Sequence, residues 1–148
     1  MAAKPIPDGF HAVTPYLLVQ DAAKLIAFLE QAFGARETER TSRPDGGVMH
    51  AQVQIGDSMV MMGEPTDHPA QPASLYLYVQ DVDATYARAL AAGANAVSPP
   101  ADQFYGDRSG GITDPAGNTW WIATHIEDVP PDEIARRAEQ AVKQRQKG

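Results

Sequence analysis

Short segments of this chain alternate between apolar and polar residues, and each half also contains one run with helical spacing. In the first half, Leu25, Ile26, Leu29 and Phe33 recur on one helical face, between the N-cap candidate Asp21 and the helix stop Gly34. Strands are predicted wherever the apolar positions alternate or follow a turn signal. In the first half they cover residues 11–19, 36–43, 49–55 and 58–63.

The second half repeats this order. The segment that begins at Leu77 resembles the one that begins at Leu17, whereas the turn glycines Gly56 and Gly117 are separated by one position more than these two leucines. A second helix is predicted from Asp81 to Gly93, and a terminal helix is predicted to begin at the prolines 130–131, because proline is tolerated in a first turn. The predicted strands of this half cover residues 74–79, 95–98, 105–113 and 118–124.

Two strand–helix–three-strand units predict an α+β fold, in which two βαβββ modules form curved mixed sheets around a shared cleft and a C-terminal helix follows. The predicted boundaries are a lead-in at residues 1–10, a first module at 11–64, a linker at 65–73, a second module at 74–125 and a helix and tail at 126–148.

Residue parity along each strand predicts which side chains lie under the helices. The set expected there comprises Val13, Leu17, Val19, Met49, Ala51, Val53 and Ile55 in the first module and Leu75, Leu77 and Val79 in the second. The last strand of each module is apolar on both faces, so its orientation stays open, with Val60 or Met62 directed inward and Glu64 as a further inward candidate. Alignment through the turn glycines pairs Val60 with Trp121 and Glu64 with His125.

The net charge of −7 argues against a nucleic-acid partner, and the absence of cysteine excludes disulfides and thiolate metal sites. No apolar run is long enough to span a membrane, and the first residues do not have the apolar core of a signal peptide. We therefore expect a cytoplasmic protein without a membrane partner.

Several motifs together resemble the vicinal oxygen chelate superfamily, which includes glyoxalase I, extradiol dioxygenases and bleomycin-resistance proteins, and its PhnB-like branch in particular. The motifs fall at residues 15–17, 32–35, 49–51, 55–58, 105–108, 114–120 and 124–129. The resemblance implies the doubled module, a small-molecule site between the sheets, and a homodimer.

The metal enzymes of that superfamily place His or Glu ligands on the first and last strand of each module. Carried onto this chain, those positions fall on Thr14, Ser74, Trp121 and either Val60 or Met62. None of these is a histidine or a carboxylate, which are the donors that a divalent cation prefers. We therefore expect neither a metal site nor another cofactor.

The favoured function is that of a small-molecule binding protein of the bleomycin-resistance type, with a planar or amphipathic ligand in the cleft. The expected ligand-binding residues are Thr14, Tyr16, His50, Gln52, Met62, Ser74, Tyr76, Tyr105, Arg108 and Trp121. The alternative is a lyase or isomerase that uses a histidine base or a divalent metal at a non-standard site. Its candidate catalytic residues are His50, Glu64 and His125.

Overall fold

A computed structural model describes residues 2–147; Met1 and Gly148, at the ends of the predicted lead-in and tail, lie outside the described residues. The elements follow one another in chain order as β1 Tyr16–Leu18, α1 Ala22–Phe33, β2 Arg36–Ser42, β3 Val48–Ile55, β4 Ser58–Gly63, β5 Ser74–Tyr78, α2 Val82–Ala91, β6 Asn95–Asp102, β7 Asp107–Thr113, β8 Thr119–His125 and α3 Pro131–Lys147. The predicted α+β fold of two βαβββ modules with a C-terminal helix is confirmed.

Each module forms one four-stranded mixed sheet, with strand orders β1-β4-β3-β2 and β5-β8-β7-β6. The first strand of each module pairs in parallel with the last, and the other neighbours are antiparallel. Parallel pairing of first and last strands requires a crossover connection, which the helix of each module supplies.

Both crossover helices begin with the predicted aspartate cap. The carboxylate of Asp21 accepts a hydrogen bond from Lys24 N at 3.1 Å, and that of Asp81 accepts one from Ala84 N at 3.1 Å. Gly34 ends α1 with a left-handed φ of 67°, a conformation that glycine adopts without steric cost. The helix limits predicted from the sequence are therefore accounted for by local chemistry.

The two helices contact each other, and one connected apolar core runs through both modules. Leu25, Ile26 and Leu29 of α1 are completely buried in it. Phe33 at the end of α1 packs on Trp120 of β8, with ring centroids 5.0 Å apart, so the first module rests directly on the second. Burial of such apolar surface is the main contribution to the stability of a domain of this size.

The pairing of the last strands differs from the predicted one. Tyr16 lies opposite Met61, and Tyr76 lies opposite Trp121, so Met61 and not Val60 is the equivalent of Trp121. The predicted equivalence of Val60 with Trp121 is therefore wrong. The hairpin between the paired residues Gly111 and Trp121 has one residue more than the hairpin between the paired residues Gln52 and Met61. Alignment of the two modules through their turn glycines therefore misplaces the last strand by one position.

Three local features also depart from the predictions. Val13 is 87% exposed and precedes β1, because Pro15 cannot donate to the ladder and the Thr14 hydroxyl turns back to His11 O. Met49 is exposed because a bulge opposite the β2 register shift turns it outward and buries Val48 instead. The strand β6 continues through both prolines at residues 99–100, which an edge strand tolerates.

The terminal helix α3 begins at Pro131 and has no fully buried residue. Arg137 attaches it to the second module, since its guanidinium donates to Phe104 O at 3.2 Å and to the carboxylate of Glu127 at 2.9 Å. Within residues 2–147, no helix combines the length and apolar character needed to cross a membrane.

Candidate functional site

Each sheet has one face covered by its helix and one face without a helix, which we call the open face. Paired residues on neighbouring strands share a face, so Tyr76, Trp121 and Gly111 lie together on the open face of the second sheet. A Cβ at position 111 would come within 2.5 Å of the Trp121 ring. The glycine therefore lets the indole lie flat against β7.

A buried carboxylate on this face gathers the polar side chains around it. Asp107 at the start of β7 is 3% exposed, and its Oδ2 accepts hydrogen bonds from the hydroxyls of Tyr76 at 2.7 Å and Tyr78 at 2.8 Å. Its Oδ1 lies 2.8 Å from Nδ1 of His125, the last residue of β8. We call Asp107, Tyr76, Tyr78 and His125 the Asp107 cluster.

The second ring nitrogen of His125 also faces a carboxylate, since Nε2 lies 2.7 Å from Oδ1 of Asp128. An ionised carboxylate only accepts hydrogen bonds, so the two contacts favour the imidazolium form, in which both nitrogens carry a proton. In agreement, hydrogen bonds to Asp107 and Asp128 raise the pKa of His125 above its ordinary value. The cluster therefore holds a positive charge next to a buried negative one.

The hydrogen bonds of the cluster also shift the pKa values of Asp107 and of the two tyrosines, in directions that favour a charged Asp107 and neutral tyrosines. Burial alone would raise the pKa of Asp107, but the bonds from His125, Tyr76 and Tyr78 lower it below the ordinary value. Burial, together with the neighbouring Tyr105 and the hydrogen bond to Asp107, raises the pKa of Tyr76, and the hydrogen bond to Asp107 raises the pKa of Tyr78. Both tyrosines therefore remain protonated and act as donors to Asp107.

The open face of the first sheet carries a smaller polar group. The Tyr16 hydroxyl lies 3.1 Å from Nδ1 of His50, and Nε2 of His50 lies 3.1 Å from Nε2 of Gln52. The structure thus brings together three of the residues predicted to bind a ligand. A groove of about 360 Å³ joins Tyr16 to Ser74 and Tyr76 where the edge strands β1 and β5 pass each other.

Glu64, one of the candidate catalytic residues, is occupied by the scaffold. Its carboxylate accepts hydrogen bonds from Ala22 N at 2.9 Å and Val48 N at 3.1 Å, and it pairs with Arg43 at 3.2 Å. In the second module the Thr124 hydroxyl makes the equivalent contact, because it accepts from the first amide of α2, Val82 N, at 3.0 Å. The predicted equivalence of Glu64 with His125 is wrong, because Glu64 corresponds to Thr124.

Two residues predicted to bind a ligand lie away from the open faces. Met62 is fully buried on the helix-covered face, opposite Leu17, so its predicted orientation toward the cleft is wrong, and Met61 takes the open face instead. Arg108 has the parity opposite to Asp107 and pairs with Asp83 of α2 at 2.9 Å and with Asp102 at 3.1 Å. Arg108 is therefore held by carboxylates of α2 and β6.

The remaining predicted residues lie near the cluster or the lead-in. The ring of Tyr105 packs edge-on against Phe104, and Tyr105 lies close enough to Tyr76 to contribute to the raised pKa of that tyrosine. Thr14 contacts His11 O.

Two further cavities frame the site. A shallow depression of about 530 Å³ next to the Asp107 cluster is lined by Tyr78, Val79, Gln80, Thr124 and His125. A cavity of about 750 Å³ lies at the module junction, between the β3–β4 turn and α2, and Tyr76 is the one predicted ligand-binding residue that lines it. Of these two cavities, the depression is the one that meets the imidazolium.

The chain does not provide the donors that the superfamily's metal enzymes use. Their ligand positions hold Thr14, Ser74, Trp121 and, in the observed register, Met61. Within residues 2–147, no three His, Asp or Glu side chains converge in a way that suits a metal ion. The residues present do not fit a divalent metal at the superfamily's position.

Asp107, Tyr78 and Asp128 were not predicted from the sequence as parts of one site. Residue parity indicated part of this arrangement, because Tyr78 lies on the same strand face as Tyr76, and Asp107 on the same face as Gly111. The pairing of Asp107 with His125 depends on the β7–β8 register, which residue spacing alone does not determine.

Comparison with known proteins agrees with this architecture. A family model described as Glyoxalase/Bleomycin resistance protein/Dioxygenase superfamily matches residues 9–122. Uncharacterized proteins of Mycobacterium bovis and Mycobacterium tuberculosis are 38% identical to this chain, and each alignment covers 83% of it; they cover 89% and 79% of those proteins.

Solved structures give the same result. TioX from Micromonospora sp. ML1 is similar with a TM-score of 0.67 and 25% identity over 78% of this chain and 99% of that one. A glyoxalase/bleomycin resistance protein/dioxygenase family enzyme from Burkholderia phytofirmans PsJN shares the fold with a TM-score of 0.62 and 21% identity, covering 76% of this chain and 97% of that one.

Proposed function

Because this chain belongs to the glyoxalase/bleomycin resistance protein/dioxygenase superfamily, we propose that it is a metal-free small-molecule binding protein whose ligand lies on the open face of the second sheet. The observation that carries this proposal is the Asp107 cluster. A buried carboxylate, an imidazolium and two tyrosine hydroxyls converge beside a depression of about 530 Å³. Binding sites for small molecules commonly combine aromatic surface with a few fixed polar groups of this kind.

The ligand that suits this face is planar or amphipathic. Tyr76 and Tyr78 are 45% and 60% exposed, with ring centroids 5.3 Å apart, and Trp121 lies flat on β7 beside them. Exposed aromatic rings provide stacking surface for a flat ligand. The fixed hydrogen bonds of the cluster orient the rings before a ligand arrives, which reduces the entropy lost on binding.

We also propose that the protein is a homodimer and, as its sequence suggests, a cytoplasmic member of the PhnB-like branch. The support for a dimer is that a single chain leaves Tyr16 and Met49 of the first module substantially exposed, so that a second copy would bury apolar surface away from the proposed ligand. Sedimentation velocity over a range of protein concentrations tests this. A single species with the mass of one chain at every concentration would contradict it.

The binding proposal is tested by titration of a panel of planar cationic drugs, glycopeptides and aromatic carboxylates, followed by tryptophan fluorescence. We expect a saturable response that is lost in Trp121→Phe and weakened in Tyr78→Ser. Arg108→Gln is the matched control, because Arg108 lies on the helix-covered face and its loss should leave the response unchanged. No response to any compound, or equal loss in the control, would contradict the proposal.

The Asp107–His125 pair supports a second candidate function, that of a lyase or isomerase. A buried carboxylate that orients a histidine is a recurrent arrangement in acid–base catalysis, and here the imidazolium is ready to act as the acid. Deuterium incorporation from D₂O into small carbonyl compounds, followed by NMR, tests proton transfer directly. Exchange that persists in His125→Gln would assign the activity to another residue or to a contaminant.

A further inference from the structure

The hydrogen bonds of the Asp107 cluster leave few groups available to a ligand. Both oxygens of Asp107 are occupied, one by the two tyrosine hydroxyls and the other by His125. The single hydroxyl proton of Tyr78 is donated to Asp107, so only the lone pairs of that oxygen are free to accept. The one strong donor that points out of the cluster is Nε2–H of His125.

That donor is covered by a side chain that nothing else holds. Asp128 is fully exposed along its side chain, and within residues 2–147 its carboxylate has His125 as its one hydrogen-bond partner. The backbone before it is fixed independently, because Ile126 N and Glu127 N both donate to Gly106 O, at 2.8 and 3.0 Å. Rotation of the Asp128 side chain into water would therefore leave the segment in place.

The surroundings of His125 favour an anion over a cation at this point. The ring is an imidazolium, and the charge of Asp107 is compensated by three hydrogen bonds, so the exposed edge of the ring presents a positive N–H. The depression in front of it is also lined by Tyr78 and Gln80, neither of which carries a charge. Asp128 thus occupies the position that an anionic group of a ligand would take.

From this geometry we infer that the ligand carries a carboxylate, phosphate or phosphonate group that replaces Asp128 on Nε2 of His125, with a hydrogen-bond donor placed to reach the Tyr78 hydroxyl oxygen. The inference rests on the proposed function and specifies its ligand class. Asp128 then acts as a competitor that keeps the imidazolium charged when no ligand is bound.

The test uses the chain of residues 1–148 labelled uniformly with ¹⁵N, so that both histidine rings and backbone amides are observed, titrated at constant ionic strength and pH 6.0 with acetate and, separately, methylphosphonate. Chloride is the reference anion. Contacts between exposed charges are weak, so removal of the competitor in Asp128→Asn should lower the dissociation constant of either probe by about two- to fivefold. Asp132→Asn, which removes an acidic side chain from the first turn of α3, is the matched control. It should leave the dissociation constants of both probes as they are in the unchanged protein.

We expect the His125 ring signals to shift saturably, and the His50 signals to shift much less. His125→Gln should abolish probe-dependent shifts elsewhere in the depression. The inference is overturned if the His125 response equals that with chloride, or if Asp128→Asn binds no tighter than Asp132→Asn. A protein that binds neutral or cationic compounds of the fluorescence panel but none of the anions would retain the proposed function and refute this ligand class.

Discussion

Replacement of Asp107 by asparagine tests whether the buried carboxylate organises the open face. An asparagine would keep the size of the side chain but lose its charge, and its amide nitrogen cannot accept the hydrogen bonds that Oδ1 or Oδ2 accepts now. Hydrogen bonds to a charged group contribute about 1.5–3 kcal/mol each, but the freed tyrosine hydroxyls and His125 reach water. We expect Asp107→Asn to lower the free energy of unfolding by about 2 kcal/mol, or the melting temperature by about 6 °C.

The cost should depend on pH in a defined direction. The pKa of His125 is raised by folding, so its contribution is complete below its unfolded pKa of about 6.5 and is lost as pH rises through the folded pKa. The pKa of Asp107 is lowered, so its contribution is complete above the ordinary value of 3.8 and is lost as pH falls through the folded pKa. The variant should therefore lose most stability between about pH 4 and about pH 6.5, and less at pH 8.5.

Urea unfolding of both proteins at pH 5.5 and pH 8.5 measures this difference. The matched control is Asp67→Asn, because Asp67 and His68 form a pair at 3.5 Å in which both side chains are exposed. That substitution should change stability by a few tenths of a kcal/mol at most. An Asp107→Asn cost that is equal at the two pH values, or no larger than that of the control, would refute the account of the cluster.

Two further substitutions test the scaffold. Glu64→Gln should lower the free energy of unfolding by about 1–2 kcal/mol, because it weakens the contacts to Ala22 N and Arg43. Urea unfolding measures this loss, and ligand binding should persist. A fully stable variant without binding or activity would instead identify Glu64 as a functional residue. Asp114→Asn should lower the free energy of unfolding by about 3 kcal/mol and shift tryptophan emission to the red. The reason is that the carboxylate, which is 2% exposed, accepts four hydrogen bonds, one of them from Trp120 Nε1 at 2.8 Å. A variant with unchanged emission and stability would contradict this.

Local chemistry explains why the helices and the doubled fold were predictable from the sequence. Asp21 and Asp81 act as caps through their own neighbouring amides, and Gly34 adopts the conformation that its sequence position predicts. Each of these contacts lies within about one helical turn, so residue type and spacing contain the necessary information.

The open-face site was less predictable because it depends on non-local register. The last strands were aligned through Gly56 and Gly117, but their position is determined by pairing with β1 and β5, which places Met61 and Trp121 at equivalent positions. A shift of one position reverses the face assigned to Met62, because side chains alternate along a strand. It also changes the residue of the second module that is equivalent to Glu64 from His125 to Thr124. Met49 shows the same limit, since a bulge reverses its side within a strand that was correctly located.

The two modules therefore share a scaffold but present different chemistry on their open faces. Tyr16 and Tyr76 occupy equivalent positions, yet the first hydrogen-bonds His50, which is half-buried, and the second hydrogen-bonds a buried carboxylate. An ionised group removed from water acts more strongly on its neighbours than one that water screens. Asp107 fixes the charge of His125 and the orientation of two tyrosines, whereas the first module has a histidine between a tyrosine and a glutamine. Ligand selectivity should accordingly depend on the second module, and substitutions at Asp107 should alter it more than substitutions at His50.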